Sequence, residues 1–257
     1  VLLMIVPLWL VFASSTHSNS FIYNEGMQWK IGGEFFDNYD RVLNRKGGFT
    51  KEITASGIFY NSFIMAFGIA SLSVFVSMMA AYSLVYFKTR FSTLFFWLIF
   101  ITLLVPLELR ILPSYQIVSD LNLLNSYAGL ILPLSASAIA TFFFRQYYRS
   151  IPEELLEAAK LDGANSWKFF IDFLVPLSKT MIAAMFIFMF VYGYNQYLWP
   201  LIMTTSEKYW TVVMGLKMIY GGNSVDRYTY VILSLIPPVI IIVFLQRLFI
   251  QGLFQSK

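Results

Sequence analysis

Long apolar runs separated by short polar breaks dominate this chain. A helix needs roughly 20 mainly apolar residues to cross the hydrocarbon core of a bilayer. Five runs approach or exceed this length, and most of them stop at a charged or polar residue. The pattern therefore predicts five membrane-spanning helices, over residues 59–87, 93–107, 127–144, 181–201 and 228–250.

A sixth apolar run opens the sequence. Residues 1–13 are too few to cross a bilayer, and they lack an initiating Met and the basic flank of a signal peptide. We interpret them as the second half of a first spanning helix. The predicted fold class is all-α, a polytopic membrane protein with six transmembrane helices, the first one truncated, in a single domain. Residues 14–57 are polar, and we expect them to form an external loop with a small folded element.

Positive charge gives the predicted orientation. The 18 lysines and arginines divide evenly between the two sides that six spans create. The positive-inside rule weighs short loops most heavily, and the short connection that contains Lys88 and Arg90 is purely basic. We therefore place this connection in the cytoplasm, together with residues 150–180 and the C-terminus.

Composition agrees with a membrane protein and excludes several kinds of site. Charged residues make up 12% of the 257 residues, whereas soluble domains carry about 25%. The net charge of +4 is spread thinly, without the basic stripe that nucleic acid requires. Because cysteine is absent and His17 is the single histidine, zinc clusters and Cys/His nucleophile pairs are excluded. We expect no metal site and no cofactor.

ATP chemistry is also excluded within the chain. No glycine is followed directly by lysine, so the phosphate-binding loop GxxxxGK[ST] is absent. If ATP drives this protein, another chain binds the ATP. An integral membrane enzyme would need acids, histidines or metal ligands gathered at one depth, and the apolar runs contain almost none. An enzyme and a channel remain the alternatives from other functional classes.

A charged, helix-favouring segment interrupts the apolar pattern at residues 150–180. Ser150 and Glu153 have the spacing of a capping box, which predicts the start of a helix. Gly163 offers the left-handed conformation that ends a helix, and Asn165 or Ser166 can cap a second one. The pattern predicts a short helix, a bend and another short helix. This arrangement favours a docking surface for a soluble partner over an ordinary solvated loop.

Within this segment, Glu157, Ala158 and Ala159 are followed after three residues by Gly163, and after nine more by the run from Phe173 to Pro176. This spacing resembles the EAA signature of permease subunits of bacterial ATP-binding-cassette (ABC) importers, of the MalG-like carbohydrate type. The family pattern has Ile and Leu where this chain has Phe173 and Val175, and both changes stay apolar. The resemblance implies the type I permease fold and an inner-membrane location. It also implies that ATP is hydrolysed on partner subunits, which dock on a coupling helix. The residues that it assigns to coupling are Glu157, Ala158, Ala159, Asp162, Gly163 and Pro176.

The same resemblance implies a set of partners and a cargo. The partners are a second permease subunit, two ATP-binding subunits and an external substrate-binding protein. Within the family, four stretches are similar to the glycerol-3-phosphate branch, which implies sn-glycerol-3-phosphate or a glycerophosphodiester as cargo. A malto-oligosaccharide-like sugar is the alternative. The stretches are residues 105–116, 125–134, 142–148 and 192–201.

Candidate substrate contacts lie at the ends of the predicted spans. Arg110 offers a fork of donors to a phosphate, and Glu108 is placed to hold that fork when the path is empty. The alternative is that the two side chains pair with each other or extend to the interface for folding only. Polar residues in the predicted span 181–201 either line the path or join the two permease subunits. These are Tyr194, Asn195 and Gln196.

Overall fold

The computed structural model describes residues 2–47, 51–87, 89–218 and 223–254. The regular elements of this part of the chain are helices and one two-stranded antiparallel ribbon. The helices are α1 (Leu2–Ser14), α2 (Asn19–Glu25), α3 (Phe35–Asn44), α4 (Ala55–Tyr86), α5 (Ser92–Ile101), α6 (Leu107–Asp120), α7 (Tyr127–Ile131), α8 (Ala138–Ser150), α9 (Glu153–Leu161), α10 (Ser166–Lys168), α11 (Val175–Leu177), α12 (Lys179–Tyr194), α13 (Leu198–Met203), α14 (Val212–Met218) and α15 (Ser224–Phe254). The ribbon pairs β1 (Lys46–Gly47) with β2 (Ile53–Thr54).

The predicted spans appear as two long helices and three bent pairs. The long helices are Ala55–Tyr86 and Ser224–Gln246, and both are apolar enough to cross a membrane. The bent pairs are Ser92–Leu104 with Glu108–Asp120 (107°), Tyr127–Leu134 with Ala138–Ser150 (46°), and Ser166–Leu177 with Lys179–Tyr194 (76°). The described helices thus supply up to five spans, preceded by the shorter apolar helix Ile5–Ser14.

Three of the predicted spans were wrong in detail, because the helices are interrupted within them. The run 127–144 bends by 46° between Leu134 and Ala138, and its helix continues to Ser150. The run 93–107 is not a complete straight span, since the helix breaks before Pro106 and α6 continues at a sharp angle. The run 181–201 does not end at residue 201, because α12 stops at Tyr194 and α13 begins at Leu198. Proline lacks the N–H that continues a helix and clashes with the preceding turn, which explains the break before Pro106. The basic residue Lys88 lies outside the described residues.

Contacts divide the chain into two compact units. The first unit comprises Val1–Met65, Leu124–Tyr127 and Tyr194–Ile240, and the second comprises Ala66–Leu123, Ala128–Gly193 and Ile241–Lys257. The first unit therefore contains the loop helices α2 and α3 and the ribbon. The second contains the segment with the EAA signature, in helices α9 to α11.

In the first unit, the loop between α1 and α4 is a folded element held by buried polar groups. The amide of Asn38 on α3 donates to the carbonyl oxygens of Ser15 and His17, both at 2.9 Å. The hydroxyl of Tyr39 lies 3.0 Å from that of Ser15, and burial raises the pKa of Tyr39 above its usual value. These bonds fix α3 against the end of α1.

Part of the same loop runs back along α1. The indole of Trp9 donates to the carbonyl oxygen of Trp29 at 3.0 Å, and the backbone N–H of Gln28 donates to the Ser14 hydroxyl at 2.9 Å. Trp9 lies five residues before the end of α1, or about 7.5 Å along the helix axis. Trp29 itself is 59% exposed. The loop therefore places the exposed Trp29 beside the last turns of the apolar helix α1. Tryptophan is enriched at membrane–water interfaces, so we expect Trp29 to lie at such an interface.

We expect a cysteine at Trp29 to be shielded by lipid. The chain contains no cysteine, so single-cysteine variants have no background, and Trp29→Cys keeps the backbone carbonyl that Trp9 binds. In proteoliposomes, a membrane-impermeant maleimide should label Trp29→Cys much more slowly than Tyr23→Cys. Tyr23, on α2, is 86% exposed and is the matched control. Equal labelling rates at the two positions would contradict this placement.

In the second unit, a stripe of small residues on α4 packs inside the chain. Ser73, Ser77 and Ala81 repeat every four residues and are fully buried. The Ser73 hydroxyl donates to the carbonyl oxygen of Leu134 at 3.3 Å, and the Ser77 hydroxyl donates to that of Ser137 at 3.2 Å. Small side chains allow such close approach of helices. The stripe thus serves packing within one subunit.

Candidate functional site: the coupling segment and a cavity at two helix breaks

Helix α9 begins at Glu153 without the predicted capping box. Pro152 occupies the N-cap position, and no side chain caps the helix. Ser150 instead ends α8, where its hydroxyl donates to the carbonyl oxygen of Tyr147 at 2.7 Å. The prediction of a Ser150 cap was wrong because the preceding helix retains this serine. Glu153 and Glu154 still lie in the first turn, where acids complement the helix dipole.

Helix α9 ends at Leu161, and Gly163 forms the left-handed turn after it, as predicted. The φ angle of Gly163 is +75°, in the left-handed region that favours glycine. Its N–H donates to the carbonyl oxygen of Lys160 at 3.0 Å, and the N–H of Ala164 donates to that of Ala159 at 2.9 Å. These two bonds form a Schellman motif, which satisfies the last carbonyl groups of the helix. The bend after α9 is therefore fixed by the backbone.

The EAA residues face in two directions. Ala159 is 1% exposed and belongs to a core cluster that also contains Tyr82 and Phe169. Glu157, Ala158 and Asp162 are exposed, and the neighbouring side chain of Leu161 is 90% exposed. The segment is therefore anchored through Ala159 and presents a mixed acidic and apolar surface on its other side.

The second half of the segment starts with a capped turn and ends at a sharp bend. The Asn165 side chain accepts from the N–H of Lys168 at 2.8 Å, as predicted from the sequence. A π-helical stretch, Phe169–Leu174, follows, and Pro176 lies at the junction with α12. The helical stretch Ser166–Leu177 is bent by 76° relative to α12.

Two tyrosines tie this segment to the spanning helices. The hydroxyl of Tyr82 on α4 donates to the carbonyl oxygen of Ser166 at 2.7 Å. The hydroxyl of Tyr147 on α8 donates to the carbonyl oxygen of Leu177 at 2.6 Å. These two bonds join the segment to both helices. Sequence reasoning missed these residues, because a tyrosine in an apolar run gives no sign of its distant acceptor.

A cavity of about 290 Å³ lies where two spans are broken. One break follows the 3₁₀ turn Thr102–Leu104, and the other follows the 3₁₀ turn Leu132–Leu134. Arg110 lines the cavity and is exposed. The polar side chains of Thr102, Ser137 and Tyr192 line the same cavity and were missed by the sequence analysis.

The predicted substrate contacts are distributed over both units. Glu108 and Arg110 belong to the second unit, and both are exposed, with no ion pair joining them in the described part of the chain. The alternative that these two side chains neutralise each other is therefore not supported. In the first unit, Tyr194 is buried at the end of α12, Asn195 is exposed and Gln196 is half-buried.

No group of three or more His, Asp or Glu side chains among the described residues is arranged to hold a metal ion. The described site therefore consists of the exposed surface of the EAA segment and a cavity.

Comparison with known proteins decides the family. The model of the family described as "Binding-protein-dependent transport system inner membrane component" matches residues 73–255. The chain belongs to this family. This permease is therefore an inner-membrane transport component of an ABC importer, as the EAA signature indicated. Importers of this class work with an ATPase and a binding protein.

Curated relatives cover the permease from end to end. The sn-glycerol-3-phosphate transport system permease protein UgpE of Yersinia pestis bv. Antiqua is 42% identical over 100% of this chain and 93% of its own length. The protein of the same name from Rhizobium meliloti is 40% identical over 100% of this chain and 93% of its own length.

A solved structure shows the same fold. A chain of a bacterial ABC transporter involved in the import of the acidic polysaccharide alginate matches this permease with a TM-score of 0.76. The match covers 96% of this chain and 91% of the other, at 22% identity. The prediction of an all-α, type I permease fold is confirmed.

Proposed function

We propose that this chain is a permease subunit for the import of sn-glycerol-3-phosphate or a glycerophosphodiester. The observation that carries this proposal is the 40–42% identity, along the whole chain, to permeases named for sn-glycerol-3-phosphate transport. The subunit performs no chemistry on the cargo. It pairs with a second permease chain and two ATP-binding subunits, and an external binding protein delivers the cargo.

In this proposal, helices α9 and α10 form the coupling segment in the cytoplasm. The exposed side chains of Glu157, Ala158 and Leu161 dock on an ATP-binding subunit. Buried Ala159 and the bonds from Tyr82 and Tyr147 pass the movement of that subunit to the spans. Closure of the ATPase pair then opens the substrate path toward the binding protein.

The cavity lined by Arg110 is proposed as part of the substrate path. A guanidinium can donate two parallel hydrogen bonds to a phosphate. Thr102 and Ser137 line the same cavity, and their hydroxyl groups can form hydrogen bonds with the glycerol moiety. Because no described carboxylate pairs with Arg110, its charge is available to an anionic cargo.

Uptake by the reconstituted importer tests the cargo and the site together. Proteoliposomes holding all subunits and the binding protein are offered labelled sn-glycerol-3-phosphate and, separately, labelled maltose, with and without ATP. We expect ATP-dependent uptake of the phosphate ester. Arg110→Ala should lower this uptake about 10- to 100-fold, since a hydrogen bond to a charged group contributes about 1.5–3 kcal/mol.

Arg110→Lys is the matched control, because it keeps the charge and loses the planar fork. We expect an intermediate rate for this variant. Normal uptake by Arg110→Ala would contradict the site and leave the cargo unaffected. Uptake of maltose alone would contradict the cargo and leave the chain a permease for a sugar.

A further inference from the structure

A second cavity, of about 300 Å³, lies between the ends of α4 and α8 and the start of α9. Tyr86 from α4 and both Arg145 and Arg149 from α8 line it. Glu153 and Leu156 contribute the side that α9 forms. This cavity is distinct from the one that Arg110 lines. Its arginines have no part in the proposed coupling of ATP hydrolysis to transport.

Two arginines without acidic partners give this cavity its charge. Arg145 and Arg149 are four residues apart on α8, so they lie on one face of that helix. In the described part of the chain, no carboxylate lies within ion-pair distance of either guanidinium. Glu153 lines the same cavity without forming an ion pair with them. Like charges placed this close on a helix are unfavourable unless an anion binds between them.

The position of Arg145 matches the border between apolar and polar surroundings. It lies five residues before the end of α8, which is about 7.5 Å along the helix axis. Its guanidinium carbon is 3.8 Å from the ring centroid of Phe96, on the apolar helix α5. Arg149, one turn further on, is exposed. We therefore expect the pair to lie at the depth of the lipid headgroups.

We propose that this cavity binds the phosphate headgroup of an anionic phospholipid. Basic pockets between spanning helices on the cytoplasmic side are the sites that such headgroups occupy. A phosphate diester offers acceptors to both guanidinium groups, and its acyl chains stay in the membrane. The proposal rests on the cytoplasmic position proposed for the coupling segment, and it is independent of the cargo.

The bound headgroup also contacts the coupling segment. Leu156 and Glu153 belong to α9, so the lipid supports the start of this helix from the membrane side. Removal of the lipid then leaves α9 less firmly held against the spans. We expect anionic lipid to raise the amount of cargo transported per ATP hydrolysed.

Direct binding of phosphatidylglycerol to the detergent-solubilised importer tests this site. Native mass spectrometry counts the lipids retained by wild type, Arg145→Gln, Arg149→Gln and Arg90→Gln. Arg90 is exposed and follows α4, outside the cavity lining, so it controls for the loss of one charge. We expect each cavity variant to bind phosphatidylglycerol about tenfold more weakly and Arg90→Gln to bind it like wild type.

Further arms separate the lipid from other anions and from misfolding. Arg145→Lys should recover most of the binding, and an unchanged midpoint of thermal unfolding should accompany Arg145→Gln. Inorganic phosphate at millimolar concentration should fail to displace the lipid. Displacement by phosphate would overturn the proposal in favour of a soluble anion site. An equal loss of phosphatidylglycerol binding in Arg90→Gln would also overturn the proposal. So would cavity variants that weaken only the association with the ATPase and leave lipid binding unchanged.

Discussion

Replacing Gly163 with proline is expected to abolish ATP-driven uptake while the spans remain inserted. The φ angle of Gly163 is +75°, whereas proline holds φ near −65°. Proline also removes the N–H that donates to the Lys160 carbonyl oxygen. The Schellman motif cannot form, so α9 ends in a different direction. The proposed docking surface then no longer faces the ATP-binding subunit.

A graded series separates the backbone effect from crowding. No atom lies within 4 Å of a Cβ built at Gly163, so an added side chain meets open space. Gly163→Ala therefore pays only for its left-handed conformation, about 1–2 kcal/mol. Gly163→Asn should be close to wild type, because asparagine tolerates this conformation and already adopts it at Asn122 and Asn125.

The measurements are uptake per ATP hydrolysed and retention of the ATP-binding subunits during purification. We expect both to decrease in the order wild type, Asn, Ala, Pro at residue 163. Normal transport by Gly163→Pro would remove the coupling role from this segment. Loss of transport in Gly163→Asn as well would mean that the glycine is needed for close contact with the partner.

The parts of this segment that the sequence predicted depend on local backbone rules. A glycine after a helix and an asparagine three residues before an N–H act within one turn, so Gly163 and Asn165 could be predicted. Ser150 also fits a local rule, but two helices competed for it and α8 retained it. Local patterns therefore identify candidate capping residues. Which of two neighbouring helices uses such a residue is decided by the tertiary structure.

Breaks in the spans and contacts between distant residues could not be predicted. Hydropathy gave the approximate number of spans, but it does not report a 107° bend at Pro106. The cavity exists because two such breaks meet in the second unit, so its polar lining is invisible in the sequence. Arg110 was found by its charge alone. The hydrogen bonds of Tyr82 and Tyr147 carry no local signal at all.

An ion-pair cluster in the first unit is the strongest case of such a distant contact. Asp226, in the first turn of α15, accepts from Arg41 at 2.9 Å and from Arg45 at 2.5 Å. Its side chain is 6% exposed, whereas those of the arginines are 46% and 40% exposed. Arg41 also donates to Asn38, whose amide holds the end of α1. The cluster thus fastens the loop between α1 and α4 to the last spanning helix.

We expect the double variant Arg41→Gln/Arg45→Gln to destabilise the first unit by about 3–5 kcal/mol, because it leaves a buried carboxylate without a cation. Either single variant should cost much less, since the other arginine remains. Asp226→Asn should also cost less than the double variant, because the charges left behind are on exposed arginines that reach water. The midpoint of thermal unfolding of the purified importer gives this order.

The triple variant, with Asp226→Asn added to the double variant, tests the cause. Once the buried charge is gone, glutamine and asparagine side chains can share neutral hydrogen bonds, so the third substitution should recover part of the lost stability. A coupling energy of this sign is expected only if Asp226 is the buried charge that the arginines neutralise. If Asp226→Asn instead lowers stability further in the double variant, the carboxylate contributes through the dipole at the N-terminus of α15, and the arginines act independently of it.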